Sequence, residues 1–260
     1  MLNLSHQNQR GQMKDKKQDT SPYCWSRSKI KFDLRIKDLP FTPKQLEFIR
    51  LALDKNTKMI ICNGPAGSSK SILSVYCSLK LMNEKRISDI IYIRSTVQPK
   101  DGETGFLQGS LEEKMQYHNV PLNDKLLELL GAEQVKALHN DNRIIAIPTS
   151  LIRGADWAAK SIIADECQNM MFSTLVTVST RPAKFSKLFL LGDSQQNDLN
   201  GKSGFDRFFN LFNEEEDKLN GIFTFKFGTE DILRSELVRY IVAKLEKERQ
   251  SEPMFAKKSS

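Results

Sequence analysis

The chain has 260 residues and a formal charge of +7, with 39 Lys/Arg against 32 Asp/Glu; that length suits one domain with a full core. No apolar run nears the roughly 18 residues of a membrane span, and no signal-like apolar segment opens the chain. Cys24, Cys62, Cys77 and Cys167 form no Cys-x-x-Cys pair and His6, His118 and His139 lack ligand spacing, which argues against zinc and predicts a reduced, cytoplasmic protein.

The positive charge is concentrated at the ends. Residues 1–40 hold nine Lys/Arg and four Asp/Glu, and residues 244–260 hold five and three, leaving a neutral middle. The first 38 residues are basic and poor in aliphatics, which predicts a largely disordered or loosely docked arm, with Tyr23 and Trp25 as possible anchors. Such an arm either meets an anionic partner such as nucleic acid or only keeps the protein soluble.

Order is predicted from about residue 39. Thr42 suits an N-cap and Pro43 the first helical position, opening a helix that ends near Asp54. Apolar runs follow at Met59–Cys62, Asp89–Arg94, Arg143–Pro148, Ser161–Asp165, Lys187–Gly192 and Ile222–Phe227. Continuous rather than alternating hydrophobicity suits strands covered on both faces, so the expected fold is an α/β domain over 39–250 with a mostly parallel sheet. Residues 99–142 read as an insertion, with Gly102, Gly105 and Gly109 ahead of a helical segment from about Asn123 to Leu138. A last helix is expected from about Glu230 to Arg249, striped by Ile232, Leu233, Leu237, Ile241 and Leu245, and a disordered tail over 251–260.

Three strand-terminal motifs carry chemistry. The first is Gly64-Pro65-Ala66-Gly67-Ser68-Ser69-Lys70-Ser71, between the first apolar run and a helix expected from Ser71 to Leu81. Small residues let successive N–H groups turn inward around a polyphosphate, and the helix N-terminus adds positive potential. Lys70 would reach the β- and γ-phosphates of ATP and the Ser71 hydroxyl would face Mg²⁺. The usual P-loop has Gly where Ser69 stands, and a Cβ there is expected to demand a negative φ.

The second motif ends the run Ile162-Ile163-Ala164 in Asp165-Glu166. Asp165 suits the Mg²⁺ shell and Glu166 suits the orientation of an attacking water. The third is Gly192-Asp193-Ser194-Gln195-Gln196. The neutral amide of Gln196 can bridge a phosphate oxygen and water, while Asp193 supports the site.

In that order the trio resembles the core of a superfamily 1 helicase, and the fuller pattern resembles the PhoH family of P-loop ATPases. The resemblance covers about Phe41 to Val242. Beyond the three motifs it rests on Thr42-Pro43-Lys44-Gln45, Arg94, Gly102-Glu103-Thr104-Gly105-Phe106-Leu107-Gln108-Gly109, Pro121-Leu122-Asn123-Asp124 and Ile152-Arg153-Gly154. It also rests on Asp165-Glu166-Cys167-Gln168-Asn169, Thr180-Arg181 and Asp231-Ile232-Leu233-Arg234. Ser69 for Gly and Gln108 for Pro depart from the pattern; phage-borne members also carry Ser at the former position.

The resemblance implies a RecA-like domain, ATP and Mg²⁺ as cofactors, ATPase activity, and RNA or single-stranded nucleic acid as a partner. It implies that the Gln45 amide reads adenine. A helicase of this type closes its site with an arginine from a second domain. Here one domain is expected, so Arg181 or Arg234 would come from a neighbouring subunit of a ring, a hexamer by the family's habit. Arg94, Arg153 and the glycine-rich 102–109 would line a nucleic-acid channel. The alternatives are a nucleotide-gated regulatory oligomer with slow hydrolysis, and a small-molecule kinase, which Glu166 argues against.

Overall fold

The computed structural model describes residues 30, 32–95, 111–149, 152, 156–196, 203–232 and 236–251. The apolar runs form strands close to their expected bounds: β1 (Met59–Asn63), β2 (Asp89–Arg94), β3 (Ile144–Pro148), β4 (Lys160–Asp165), β5 (Lys187–Gly192) and β6 (Ile222–Lys226). All the pairings are parallel, in the order β3-β2-β4-β5-β1-β6. Alternate residues of each strand feed opposite faces, and both faces are covered. Ile60, Cys62, Tyr92, Ile163 and Phe189 enter one core; Ile61, Ile91, Ile162, Leu188 and Leu190 enter the other. Hence the continuous hydrophobicity of the inner strands.

The first face is covered by α1 (Pro43–Leu53), α2 (Lys70–Asn83), α3 (Leu111–Leu129) and α4 (Ala132–Asn140). α1 starts as expected: Thr42 and Gln45 form a reciprocal capping box and Pro43 opens the helix. The second face is covered by α5 (Phe172–Ser179) and α6 (Phe205–Leu211). The short α7 (Glu215–Leu219) precedes β6, and α8 (Glu236–Ser251) ends the described chain.

Two expectations change and one is made specific. The segment expected as one helix over 123–138 is the end of α3 and all of α4, parted at Leu130 and Gly131. Its Leu126, Leu129 and Leu138, with Leu122 just before it, are core residues, because the segment closes the sheet face beside β3. The end of the basic arm is also tied down. Ile30 and Leu34 are buried, and the Leu34 backbone N–H and carbonyl both bond the Asn83 side chain. Finally, α8 begins at Glu236, not Glu230: a 3-10 turn occupies Thr229–Asp231, where Gly228 N–H donates to Asp231.

A buried ion cluster fixes β2 against β4. Asp89 and Lys160 are register partners, and the Lys160 Nζ donates to Asp89 Oδ2 at 2.5 Å while Arg143 Nη1 lies 3.5 Å from Oδ1. Cys62, Cys77 and Cys167 are free and buried, and burial pushes the Cys62 thiol up to about 12, so none is a ready nucleophile.

Candidate nucleotide-binding site

The loop after β1 wraps back on itself. Ser68 N–H and Oγ both donate to the Pro65 carbonyl, at 3.2 and 2.8 Å. Gly64 is required by crowding: a Cβ there would lie 2.8 Å from Phe227 Cβ. Gly67 has φ of +87°, and Ser69 has φ of +65° and ψ of 13°. The expectation of a negative φ at Ser69 is therefore overturned. The serine adopts the left-handed turn that glycine would adopt, because the chain must reverse there before α2 starts at Lys70. The Lys70 ammonium sits within the loop, donating to the Gly64 and Pro65 carbonyls at 2.7 and 2.9 Å.

The acids arrive from β4. Ser71 Oγ donates to Asp165 Oδ1 at 3.0 Å, joining the first turn of α2 to the end of β4. Tyr92, from β2, donates to Asp165 Oδ2 at 2.5 Å. Burial and the neighbouring Asp165 charge push the Tyr92 phenol far up, so it stays a donor. Glu166 turns left-handed (φ +57°) at the strand end. Its carboxylate accepts from Gln168 Nε2 at 2.6 Å and lies 3.8 Å from Arg94 Nη2.

The third motif braces the loop. Asp193 Oδ2 accepts from the Ala66 N–H at 3.1 Å and Oδ1 from the Gln195 N–H at 2.9 Å. Gln168 Oε1 accepts from the Asp193 N–H at 3.0 Å, so one amide links both acidic motifs. Asn63 and Ser194 bond reciprocally, at 2.6 and 3.1 Å. Gln196 is exposed at the rim.

Together these groups open onto a cleft of about 560 Å³ at the carboxyl ends of the strands, where open α/β sheets take ligands. Lys70, Ser71, Asp165, Glu166 and Gln196 all line it, and Pro121, Asp124, Lys125 and Glu128 of α3 form the far wall. Ser71 and Asp165 offer hard oxygens of the kind Mg²⁺ takes. Among the described residues no group of three or more His, Cys, Asp or Glu can hold a metal, so the cation would draw its remaining oxygens from phosphate and water. The residues fit Mg²⁺ and a nucleoside triphosphate.

The PhoH-like protein family matches over residues 39–246. The chain belongs to the PhoH family. It shares the α/β P-loop fold of that ATP-binding, ATPase-like group. It is 29% identical over 221 residues to a PhoH-like protein of Synechocystis, covering 84% of this chain and 65% of the relative. It is 30% identical over 210 residues to one of Bacillus subtilis (80% and 63%), and 29% identical over 197 residues to Protein PhoH of Escherichia coli (74% and 54%). The aligned part thus spans roughly half to two thirds of those relatives.

The remaining expected residues of this PhoH-family chain are placed less centrally. The Gln45 Oε1 accepts from the Thr42 N–H at 3.0 Å and the side chain is buried, so the carbonyl that would read adenine also closes the α1 cap. Arg181 lies away from the carboxyl ends of the strands and from its own chain's cleft. It follows α5, which runs back toward the strand starts, and its carbonyl accepts from Trp157 N–H ahead of β4. Its guanidinium bonds the Thr177 carbonyl and Thr180 Oγ1. Arg234, Arg153 and 102–109 lie outside the described residues. Sequence reading missed Tyr92 and Gln168 as supports of the acids. Their signals were slight: one hydroxyl in an aliphatic strand, and one amide two residues after Glu166.

Proposed function

We propose that this PhoH-family chain hydrolyses ATP with Mg²⁺ and couples hydrolysis to binding or moving along RNA or other single-stranded nucleic acid. The observation that carries the ATPase half is the 3.0 Å contact of Ser71 with Asp165 in a cleft shared with Lys70 and Glu166. In this reading the loop amides and Lys70 hold the triphosphate, and Lys70 exchanges the Gly64 and Pro65 carbonyls for phosphate oxygens. Ser71 and Asp165 hold Mg²⁺, which supplies charge neutralisation. Glu166, held by Gln168, orients the attacking water, and Gln196 contacts the terminal phosphate. Gln45 turns its amide nitrogen to the base.

The active form in this reading is a ring in which Arg181 or Arg234 completes the neighbouring cleft. Two observations support an assembly. Arg181 stands away from its own cleft, and the α8 residues Leu237, Tyr240, Ile241 and Leu245 are 45–65% exposed, an apolar stripe suited to contact.

The test is the rate of ATP turnover with and without single-stranded RNA. Lys70→Ala should abolish binding and turnover. Glu166→Gln should retain ATP binding while turnover falls by about 10²-fold or more. Turnover indifferent to RNA would favour the nucleotide-gated oligomer; turnover unchanged in both variants would refute the site.

A further inference from the structure

The opposite end of the sheet carries a second, larger groove. The turns before β1, β2, β4, β5 and β6 enclose about 1060 Å³ there, none of it shared with the cleft. It is bordered by cations. Lys55, Lys58 and Lys184 are exposed and make no ion pair among the described residues. Behind them Arg86 donates to the Leu53 carbonyl and Glu84, and Lys187 to the carbonyls of Ala52 and Asp54. Burial, then repulsion from Arg86, draws Lys187 down to about 8.

A further observation points to a ligand. Phe185 lies on the same groove, 82% exposed and with φ of +64°. A bulky residue in the left-handed region is unusual, and here it presents an aromatic ring to solvent. Ala159, also on this groove, shares the positive φ, whereas that of Lys85 only closes the left-handed turn that ends α2. Outlying backbone clusters at functional sites. The chain's own ends are ill suited as occupants: residues 1–29 hold six Lys/Arg against two Asp/Glu, and 252–260 two against one.

We propose that this groove binds single-stranded nucleic acid, with a base stacked on Phe185 and the backbone phosphates running past Lys58 and Lys184. The proposal rests on the nucleic-acid half of the function above and moves that contact to the amino ends of the strands. An exposed aromatic between unpaired lysines on separate turns is the arrangement that takes successive nucleotides without reading sequence.

The experiment is fluorescence anisotropy of a labelled 12-residue oligouridylate with the full chain across a salt series, alongside ATPase stimulation by the same oligonucleotide. Phe185→Ala should weaken binding about 5- to 150-fold, the range for one lost stacking contact, and Phe185→Trp should retain it. Lys58→Ala with Lys184→Ala should flatten the slope of log affinity against log salt by about 1.4. Urea denaturation of each variant checks that it folds. Normal binding and stimulation in both alanine variants would overturn this groove yet leave the proposed function standing. Failure of the unaltered protein to bind or respond would end both. Displacement of the oligonucleotide by an equal nucleotide concentration of uridine monophosphate would overturn the strand as ligand.

Discussion

Replacing Ser69 by glycine tests whether the loop is held in a glycine conformation at a cost. The serine sits at φ +65° and ψ 13°, where a side chain costs about 1–2 kcal/mol relative to the right-handed region. Glycine removes that penalty but brings about 0.5–1 kcal/mol of extra unfolded-state freedom. The net expectation is a gain of about 0.5–1 kcal/mol, or roughly 1–4 °C in melting temperature for a domain of this size. Ser69 makes no side-chain capping bond to α2, so Ser69→Ala should stay within about 0.5 kcal/mol of the parent. Ser69→Val places a β-branched residue in the same well and should lose stability. Urea denaturation with a common m-value measures all three, and calorimetric titration with Mg-ATP reads the loop itself. Because the backbone already has the glycine geometry, ATP affinity should change less than about threefold in Ser69→Gly, under 0.7 kcal/mol. A Ser69→Gly variant less stable than its parent, or one that binds ATP more than tenfold differently, would refute the reasoning.

Other substitutions probe the frame around the site. Asp89→Ala leaves Lys160 buried beside β2 without its carboxylate and should cost about 3–5 kcal/mol in urea denaturation; a loss under 1 kcal/mol would show that the cluster is dispensable. Tyr92→Phe keeps the ring but removes the donor to Asp165; a loss of about 1.5–3 kcal/mol is expected for a hydrogen bond to a carboxylate, and an unchanged midpoint would dismiss that bond. Lys187 titrates near 8 in the folded chain against 10.5 ordinarily. Below pH 8 both states hold the proton and the burial cost is fully present. Between about pH 8 and 10.5 the folded state releases the proton while the unfolded state keeps it, so stability should rise with pH across that window. Comparison of denaturation midpoints with Lys187→Met isolates this contribution, and identical pH profiles would deny it.

The sequence by itself determined the strands, the parallel sheet and the three segments that meet at the cleft. These are local or periodic signals: apolar runs long enough to be covered on both faces, small residues ahead of Lys70 and Ser71, and acids at a strand's end. The capping box at Thr42 was legible for the same reason, since its partners are three residues apart. What only the tertiary structure decided depends on neighbours distant in the chain. Tyr92 supports Asp165 because β2 and β4 are adjacent in the sheet. Gln168 couples Glu166 to Asp193 because β4 and β5 end side by side. The φ of Ser69 follows from how the loop must close on α2, which residue type alone misjudged. Arg181 falls at the wrong end of the sheet for its own cleft because α5 reverses direction, and a helix's length and packing, not its flanking motif, set where it delivers the chain. The basic groove was invisible for the same reason: Lys58, Ser179 and Phe185 meet only when parallel strands bring their starting turns to one end.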